Sequence, residues 1–244
     1  MNLLIDMGNT RLKWAITSGG QLRTGTPLSN TQMNRQSLIN LWKRLDRPKR
    51  LAISCVSTNE LLELVQSVVY ELWLDVDILR VKSESHAFGV INAYQQPEKL
   101  GVDRWLALIA VWQKYHRPAC IVDCGTAITV DLIDAEGCHQ GGLISPGLTL
   151  MKKALGRGTE ALRFSEPLVA LISPPLSLSD NTQDAIYNGT LTAAVGLIEH
   201  VLNKQSVHLI LTGGDAELIA NQLEVKCTLD QDLILQGLLY VLEG

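Results

Sequence analysis

Apolar residues along the chain fall into short blocks whose period switches between 2 and 3.6, and each switch predicts a change of element. Residues 3–16, LLIDMGNTRLKWAI, read as an apolar run, an Asp-x-Gly turn with a short polar residue, and a second apolar-rich run. That is the pattern of two strands joined tightly. Residues 120–133, CIVDCGTAITVDLI, repeat the template, with Asp123 in the place of Asp6 and Gly125 in the place of Gly8. Gly supplies the backbone freedom of such a turn, and Asn9 or Thr126 tolerates its geometry. The copies stand about half a chain apart, so the repeat predicts two similar domains, 1–116 and 117–244.

Helical spacing fills the intervals. Ser57-Thr58-Asn59-Glu60 has the capping-box pattern after the strand LAISCV, and Leu61, Leu62, Leu64, Val65, Val68, Val69 and Leu72 follow at the spacing of an amphipathic helix. A second helix is predicted from near Asp103 through Trp105, Leu106, Leu108, Ile109 and Trp112, ending before Pro118. In the second half, GGLISPGLTLMKKAL reads as strand, Pro-Gly turn and helix, and residues 183–202 as a long helix interrupted by Gly189 and Gly196. VHLILTGG reads as a buried strand ending in a glycine turn, and Leu233 to Leu242 as a final helix. Residues 164–181, with prolines at 167, 174 and 175, read as irregular. Strands and helices in this order predict the α/β class.

Composition narrows the function classes. With 46% hydrophobic and 19% charged residues, the 244-residue chain lies far from the regime of intrinsic disorder. Its 21 basic and 25 acidic side chains give a net charge of -4, without the basic footprint that nucleic-acid binding requires. No apolar run reaches the length of a membrane span, and MNLLIDMGNT lacks the basic region and long apolar stretch of a signal peptide. Five cysteines, Cys55, Cys120, Cys124, Cys138 and Cys227, form no CxxC pair and leave one over under complete pairing, which fits reduced thiols in a cytoplasm.

Candidate chemistry concentrates at three turns. A strand ending in Asp-x-Gly-Asn-Thr sets a carboxylate beside outward backbone N–H groups, which can cradle phosphate while the Asp holds its metal ion. Asp123-Cys124-Gly125-Thr126-Ala127 offers the same set, and Thr212-Gly213-Gly214 lets a backbone approach a ligand closely. Competing motifs are weaker. Gly156 to Ala161 fits GxGxxA but follows a helical run instead of a strand, and no GxxxxGK[ST] occurs. The five histidines show no metal-ligand spacing.

In these three turns and their order the chain resembles the acetate and sugar kinase, heat-shock chaperone and actin superfamily. The resemblance implies two duplicated ribonuclease-H-like domains, mixed sheets flanked by helices, and an ATP cleft between them. Gly101-Val102-Asp103-Arg104, DCGTAITVD and GGLISPG together are similar to type III pantothenate kinase, and the similarity runs from Asp6 to the final helices. That family phosphorylates pantothenate with ATP at the first committed step of coenzyme A synthesis.

Carried over residue by residue, the resemblance implies that Asp6, Met7, Gly8, Asn9, Thr10, Arg11, Leu12 and Lys13 bind ATP phosphates and that Thr126 contacts ATP. It implies Asp103 as general base and a pantothenate site of Tyr94, Gly101, Val102, Asp103, Arg104 and Thr182, with Thr182 donated by the second copy of a homodimer. Asp123 falls at a monovalent cation site for K+ or NH4+, and Mg2+ arrives with ATP. The residue types agree: an ionised carboxylate accepts a hydroxyl proton, and a guanidinium clamps an anion. Taken alone, an Asp-Arg pair opening a helix serves equally as a first-turn cap and a solvated cation. The stripe Trp105, Leu108, Ile109 and Trp112 suits either a domain core or a dimer interface. A second function class keeps the fold and nucleotide site in an accessory regulator without kinase activity. Such a regulator needs no base, so the retention of Asp6, Asp103, Arg104 and Asp123 favours the enzyme.

Overall fold

Two mixed β-sheets organise the chain in the computed structural model, which describes residues 1–158, 177–203 and 205–244. Each sheet is the centre of one of two compact units. The first comprises Met1–His116, Gly137–His139 and Asp232–Gly244, the second Arg117–Glu136 and Gln140–Gln231.

The first unit runs β1 (Asn2–Met7), β2 (Arg11–Ser18), β3 (Gln21–Thr24), β4 (Leu28–Ser29), α1 (Arg35–Trp42), β5 (Arg50–Cys55), α2 (Asn59–Leu72), β6 (Asp77–Arg80), β7 (His86–Ala87), β8 (Val90–Ile91) and α3 (Val102–Tyr115). Its sheet has the order β3-β2-β1-β5-β6, with β4 also on β2. The strands β1, β2 and β3 pair antiparallel, whereas β1, β5 and β6 pair parallel. Side chains alternate across each strand, so one face carries Leu3, Ile5, Met7, Leu51 and Ile53 against Leu38 and Trp42 of α1 and Leu62, Val65 and Val69 of α2. The other face carries Leu4, Ala15 and Ala52, covered by Val102 and Leu106 of α3.

In the second unit the elements are β9 (Ala119–Cys124), β10 (Ala127–Ile133), β11 (His139–Pro146, whose first residue belongs to the first unit), α4 (Leu148–Gly158), α5 (Thr182–Leu202), β12 (His208–Thr212), α6 (Ala216–Ala220) and β13 (Thr228–Leu229). The order β11-β10-β9-β12-β13 repeats the first sheet: an antiparallel hairpin first, then two parallel neighbours reached by crossovers. Cys120, Val122, Val130, Leu209 and Leu211 pack against Leu191, Ala194 and Ile198 of α5 and Ile219 of α6. The duplication in sequence is thus a duplication of sheet topology.

Three expectations change on contact with the structure. The N-cap of α2 is Thr58, whose hydroxyl accepts the Leu61 N–H at 3.4 Å, so the box from Ser57 to Glu60 does not form. A reciprocal capping box stands instead before α1, where the Asn34 side chain accepts the Ser37 N–H and Ser37 accepts the Asn34 N–H. Trp105, Leu108 and Ile109 are buried within the chain itself, so that stripe is core and not an open face; Trp112 lies against Gly89 and Gly137. Finally α7 (Leu233–Glu243), on the second side of a cut at residue 117, belongs to the first compact unit. Leu235, Leu238 and Leu242 need an apolar cover, and they find it beside Leu106 on the α3 face of the first sheet. Most of the irregular 164–181 stretch and the end of the 156–161 motif lie outside the described residues.

Gly237 makes that packing possible, because a Cβ there would collide with the Leu106 carbonyl. Gly237→Val should therefore destabilise the protein by about 2 kcal/mol or more, as overpacking against backbone does. Gly196 is exposed on α5 with nothing within 4 Å of its added Cβ, so Gly196→Ala should stabilise by about 0.4–1 kcal/mol. Urea unfolding of both variants checks the pair, and equal midpoints would contradict it.

Candidate active site

Asp6 is the penultimate residue of β1 and only 5% exposed. Its register partners are Lys13 on β2 and Ser54 on β5, so Lys13, Asp6 and Ser54 form a polar row across three strands on the α3 side of the sheet. The turn that follows closes through a Gly8 N–H to Arg11 carbonyl bond of 3.1 Å, with Asn9, Thr10 and Arg11 exposed. Met7 and Leu12 send their side chains into the core, leaving only their backbones to meet a ligand. This turn offers backbone donors and a cation for phosphate oxygens.

The second unit repeats the row with one change of charge. Asp123 stands in register with Thr129 on β10 and Thr212 on β12. Its turn closes through Gly125 N–H to Ala127 carbonyl, 3.0 Å, leaving Thr126 exposed. Two further glycines bring other loops onto it. A Cβ at Gly147 would overlap the Gly125 carbonyl and lie 2.6 Å from that of Thr126. Gly213, at φ +94°, could carry a Cβ only by overlapping the Asp123 carboxylate and lying 2.6 Å from the Cys124 carbonyl oxygen. Carboxylate and carbonyl oxygens thus crowd one point, the donor chemistry of a hard cation. Among the described residues no group of three or more His, Cys, Asp and Glu side chains could hold a metal.

Gly101 caps α3, and Asp103 lies in its first turn, where helix N–H groups favour negative charge. Asp103 Oδ1 accepts the Arg104 N–H at 2.8 Å, and it lies 2.5 Å from where a Cβ of Gly101 would be, so the glycine admits the folded-back carboxylate. Arg104 is 6% exposed, and its Nη1 donates to the Tyr94 hydroxyl at 2.8 Å with Cζ 5.6 Å from the ring centroid. Tyr94 in turn stacks on the buried His139 at 6.1 Å. Asp103, Arg104 and Tyr94 therefore form one constellation in the first unit, while Val102 serves the core. Thr182 lies elsewhere in the chain, as the exposed first residue of α5, whose cap is Asn181.

Ser54, Thr129 and Asn30 escaped sequence reasoning, and Thr212 entered only as part of its glycine turn. Ser54 and Thr212 are 0% and 1% exposed, and neither hydroxyl has a hydrogen-bond partner among the described residues. A lone hydroxyl inside an apolar strand was the available signal in both. Cys120 and Cys124 provide no nucleophile: burial first, then Asp131, pushes the Cys120 thiol up to about 12, and burial with Asp123 and Asp215 raises Cys124 further.

A repeated sheet whose first hairpin carries Asp-x-Gly, followed by a glycine turn after β12, has the form expected of the acetate and sugar kinase, heat-shock chaperone and actin superfamily. Within it, the family model of type III pantothenate kinase matches residues 2–204, and the chain belongs to that family. A type III pantothenate kinase from Nitrosococcus oceani is 35% identical over 250 residues, covering 98% of this chain and 92% of that protein. Among solved structures, a protein described as a Baf family transcriptional activator from Campylobacter jejuni superposes with a TM-score of 0.61 at 20% identity, covering 99% of this chain and 97% of that one. One described as a 2-dehydro-3-deoxygalactonokinase from Sinorhizobium meliloti gives 0.61 at 12% identity, over 98% and 97%. These two likenesses establish the fold alone.

The raised thiols set a reactivity order. Only thiolate is alkylated, and burial pushes the Cys120 thiol up to about 12, far above the working pH. Iodoacetamide on the native protein at pH 8 should modify the half-buried Cys55 well before Cys120 or Cys124, and urea should erase the difference. Peptide mass spectrometry checks this; equal native rates would contradict it.

Proposed function

We propose that the chain transfers the γ-phosphoryl group of ATP to the hydroxyl of pantothenate, giving 4'-phosphopantothenate at the entry to coenzyme A synthesis. Kinship over nearly the whole chain supports this reading, and the observation that carries it is the Asp103–Arg104–Tyr94 constellation at the head of α3. Phosphoryl transfer asks the protein mainly to align a hydroxyl and to stabilise charge. Asp103 takes the hydroxyl proton as general base. Arg104, set by Tyr94, holds the pantothenate carboxylate or the transferring phosphoryl oxygens, with Gly101 and Val102 supplying backbone.

On the nucleotide side, the residues from Asp6 to Lys13 receive phosphate oxygens through turn N–H groups and the Lys13 ammonium, and Thr126 makes a further contact. Mg2+ arriving with ATP would supply charge neutralisation at its phosphates. Asp123 and neighbouring carbonyls hold a monovalent cation, K+ or NH4+, which would supply a fixed positive charge near the second turn. The protein works in the cytoplasm as a homodimer, with Thr182 of one copy completing the pantothenate site of the other. No helix among the described residues is long and apolar enough to cross a membrane. An accessory regulator of the same fold is not favoured, since it would have no use for the base.

A coupled assay with ATP and pantothenate tests the reading directly, and absence of turnover would end it. In that assay Asp103→Asn should lower kcat by about 10²- to 10⁴-fold while ATP still binds, because an amide keeps the shape and cannot accept the proton. A kcat within about threefold of wild type would remove Asp103 from the mechanism.

Exchanging potassium for sodium or a bulky organic cation should cut turnover, and Asp123→Asn should abolish the response to potassium. Equal rates in all three salts would show that Asp123 holds no cation.

A further inference from the structure

Asn30 lies just beyond β4, in a polar segment that carries no motif, yet it reaches back to the first phosphate turn at two points. Its side-chain Nδ2 donates to the Gly8 carbonyl at 2.9 Å, and its backbone N–H donates to the Thr10 carbonyl at 2.9 Å. A third, longer contact of 3.4 Å joins Nδ2 to Ser57 Oγ, between β5 and α2. The amide orientation is fixed, because the reverse flip would set Oδ1 against the Gly8 carbonyl oxygen; Oδ1 itself is buried without a partner among the described residues.

These bonds decide which way the turn presents its donors. In a trans peptide the C=O and the following N–H point in opposite directions within one plane. Holding the Gly8 and Thr10 carbonyls toward Asn30 therefore turns the Asn9 and Arg11 N–H groups away from it, to the other side of the hairpin. An anion is gripped by N–H groups that converge and repelled by carbonyls, so a turn free to rotate either peptide would lose its preference for phosphate. A short hairpin such as Gly8–Asn9–Thr10, exposed over most of its length, cannot fix both peptides by itself.

We infer that Asn30 is a positioning residue for nucleotide binding, which holds two peptides of the Asp6–Lys13 turn in the orientation that presents their N–H groups to ATP phosphates. The inference rests on the reading of this turn as a phosphate site. Asn is the residue type required: Nδ2 donates to a carbonyl, whereas Asp of the same shape would set a negative charge against that carbonyl and close to the polyphosphate.

The test uses Asn30→Ala and Asn30→Asp in the full chain. In the coupled assay Asn30→Ala should raise the KM for ATP by about tenfold, the scale of one lost hydrogen bond, with the KM for pantothenate within about twofold of wild type. Asn30→Asp should raise it further. Hydrogen exchange should quicken in peptides spanning residues 8–12 more than elsewhere. A lower Tm with unchanged ATP KM would reduce Asn30 to a structural residue and overturn the inference. Should wild type bind a non-hydrolysable ATP analogue but leave pantothenate untouched, the substrate reading fails alone, and the analogue's Kd decides: weakened in Asn30→Ala, the inference stands; unchanged, it falls. Wild type that binds no nucleotide overturns both.

Discussion

Everything at the candidate site depends on where a sheet changes direction. β1 pairs antiparallel with β2 and parallel with β5, and β9 does the same with β10 and β12. A parallel neighbour requires a crossover, which leaves the carboxyl end of the central strand with a hairpin on one side and the end of a second strand on the other. Backbone N–H groups and glycine turns collect there because no further strand follows to use them. Asp6 and Asp123 occupy that position, each with a register partner on both neighbours. The cost of polar atoms so close to a core is borne by the apolar faces behind them, α1 and α2 in one unit and α5 and α6 in the other.

Placement on one sheet face then links the first turn to the head of α3 within the first unit. Leu4 and Asp6 share a face by alternation, and Leu4 packs with Val102 and Leu106 of α3. The helix that carries Asp103 and Arg104 is therefore seated on the sheet that carries the Asp6–Lys13 turn. Gly237 lets α7 close over that helix, so a residue far from any candidate chemistry helps to seat the helix that bears Asp103.

Legibility in the sequence followed the range of the interactions. Hairpins, the helix from Asp103, the strand ending at Thr212 and the long helix α5 rest on local period and turn residues, and they stood where the pattern put them. Caps depend on side-chain geometry within three residues, and there the pattern failed by one position, taking Ser57 for the cap that Thr58 provides. The apolar stripe on α3 was legible as apolar, but only the packed structure separates core from interface. What α7 covers, and what Asn30 reaches across 22 residues, are tertiary facts with no periodic signal. Arg104 shows the same limit within the site, since its bond to Tyr94 depends on a loop conformation that the GxDR motif does not encode.

Duplication also explains why the two turns need not do the same work. The row Lys13–Asp6–Ser54 contains an ammonium, whereas its counterpart Thr129–Asp123–Thr212 places a neutral hydroxyl at the corresponding position. An ammonium beside the carboxylate makes the first row neutral and leaves a donor for phosphate oxygens. The second row has the same carboxylate with hydroxyls as its register partners, close to backbone carbonyl oxygens. Under the proposed reading, an ammonium beside a carboxylate suits phosphate oxygens, whereas a carboxylate among hydroxyl and carbonyl oxygens suits a cation.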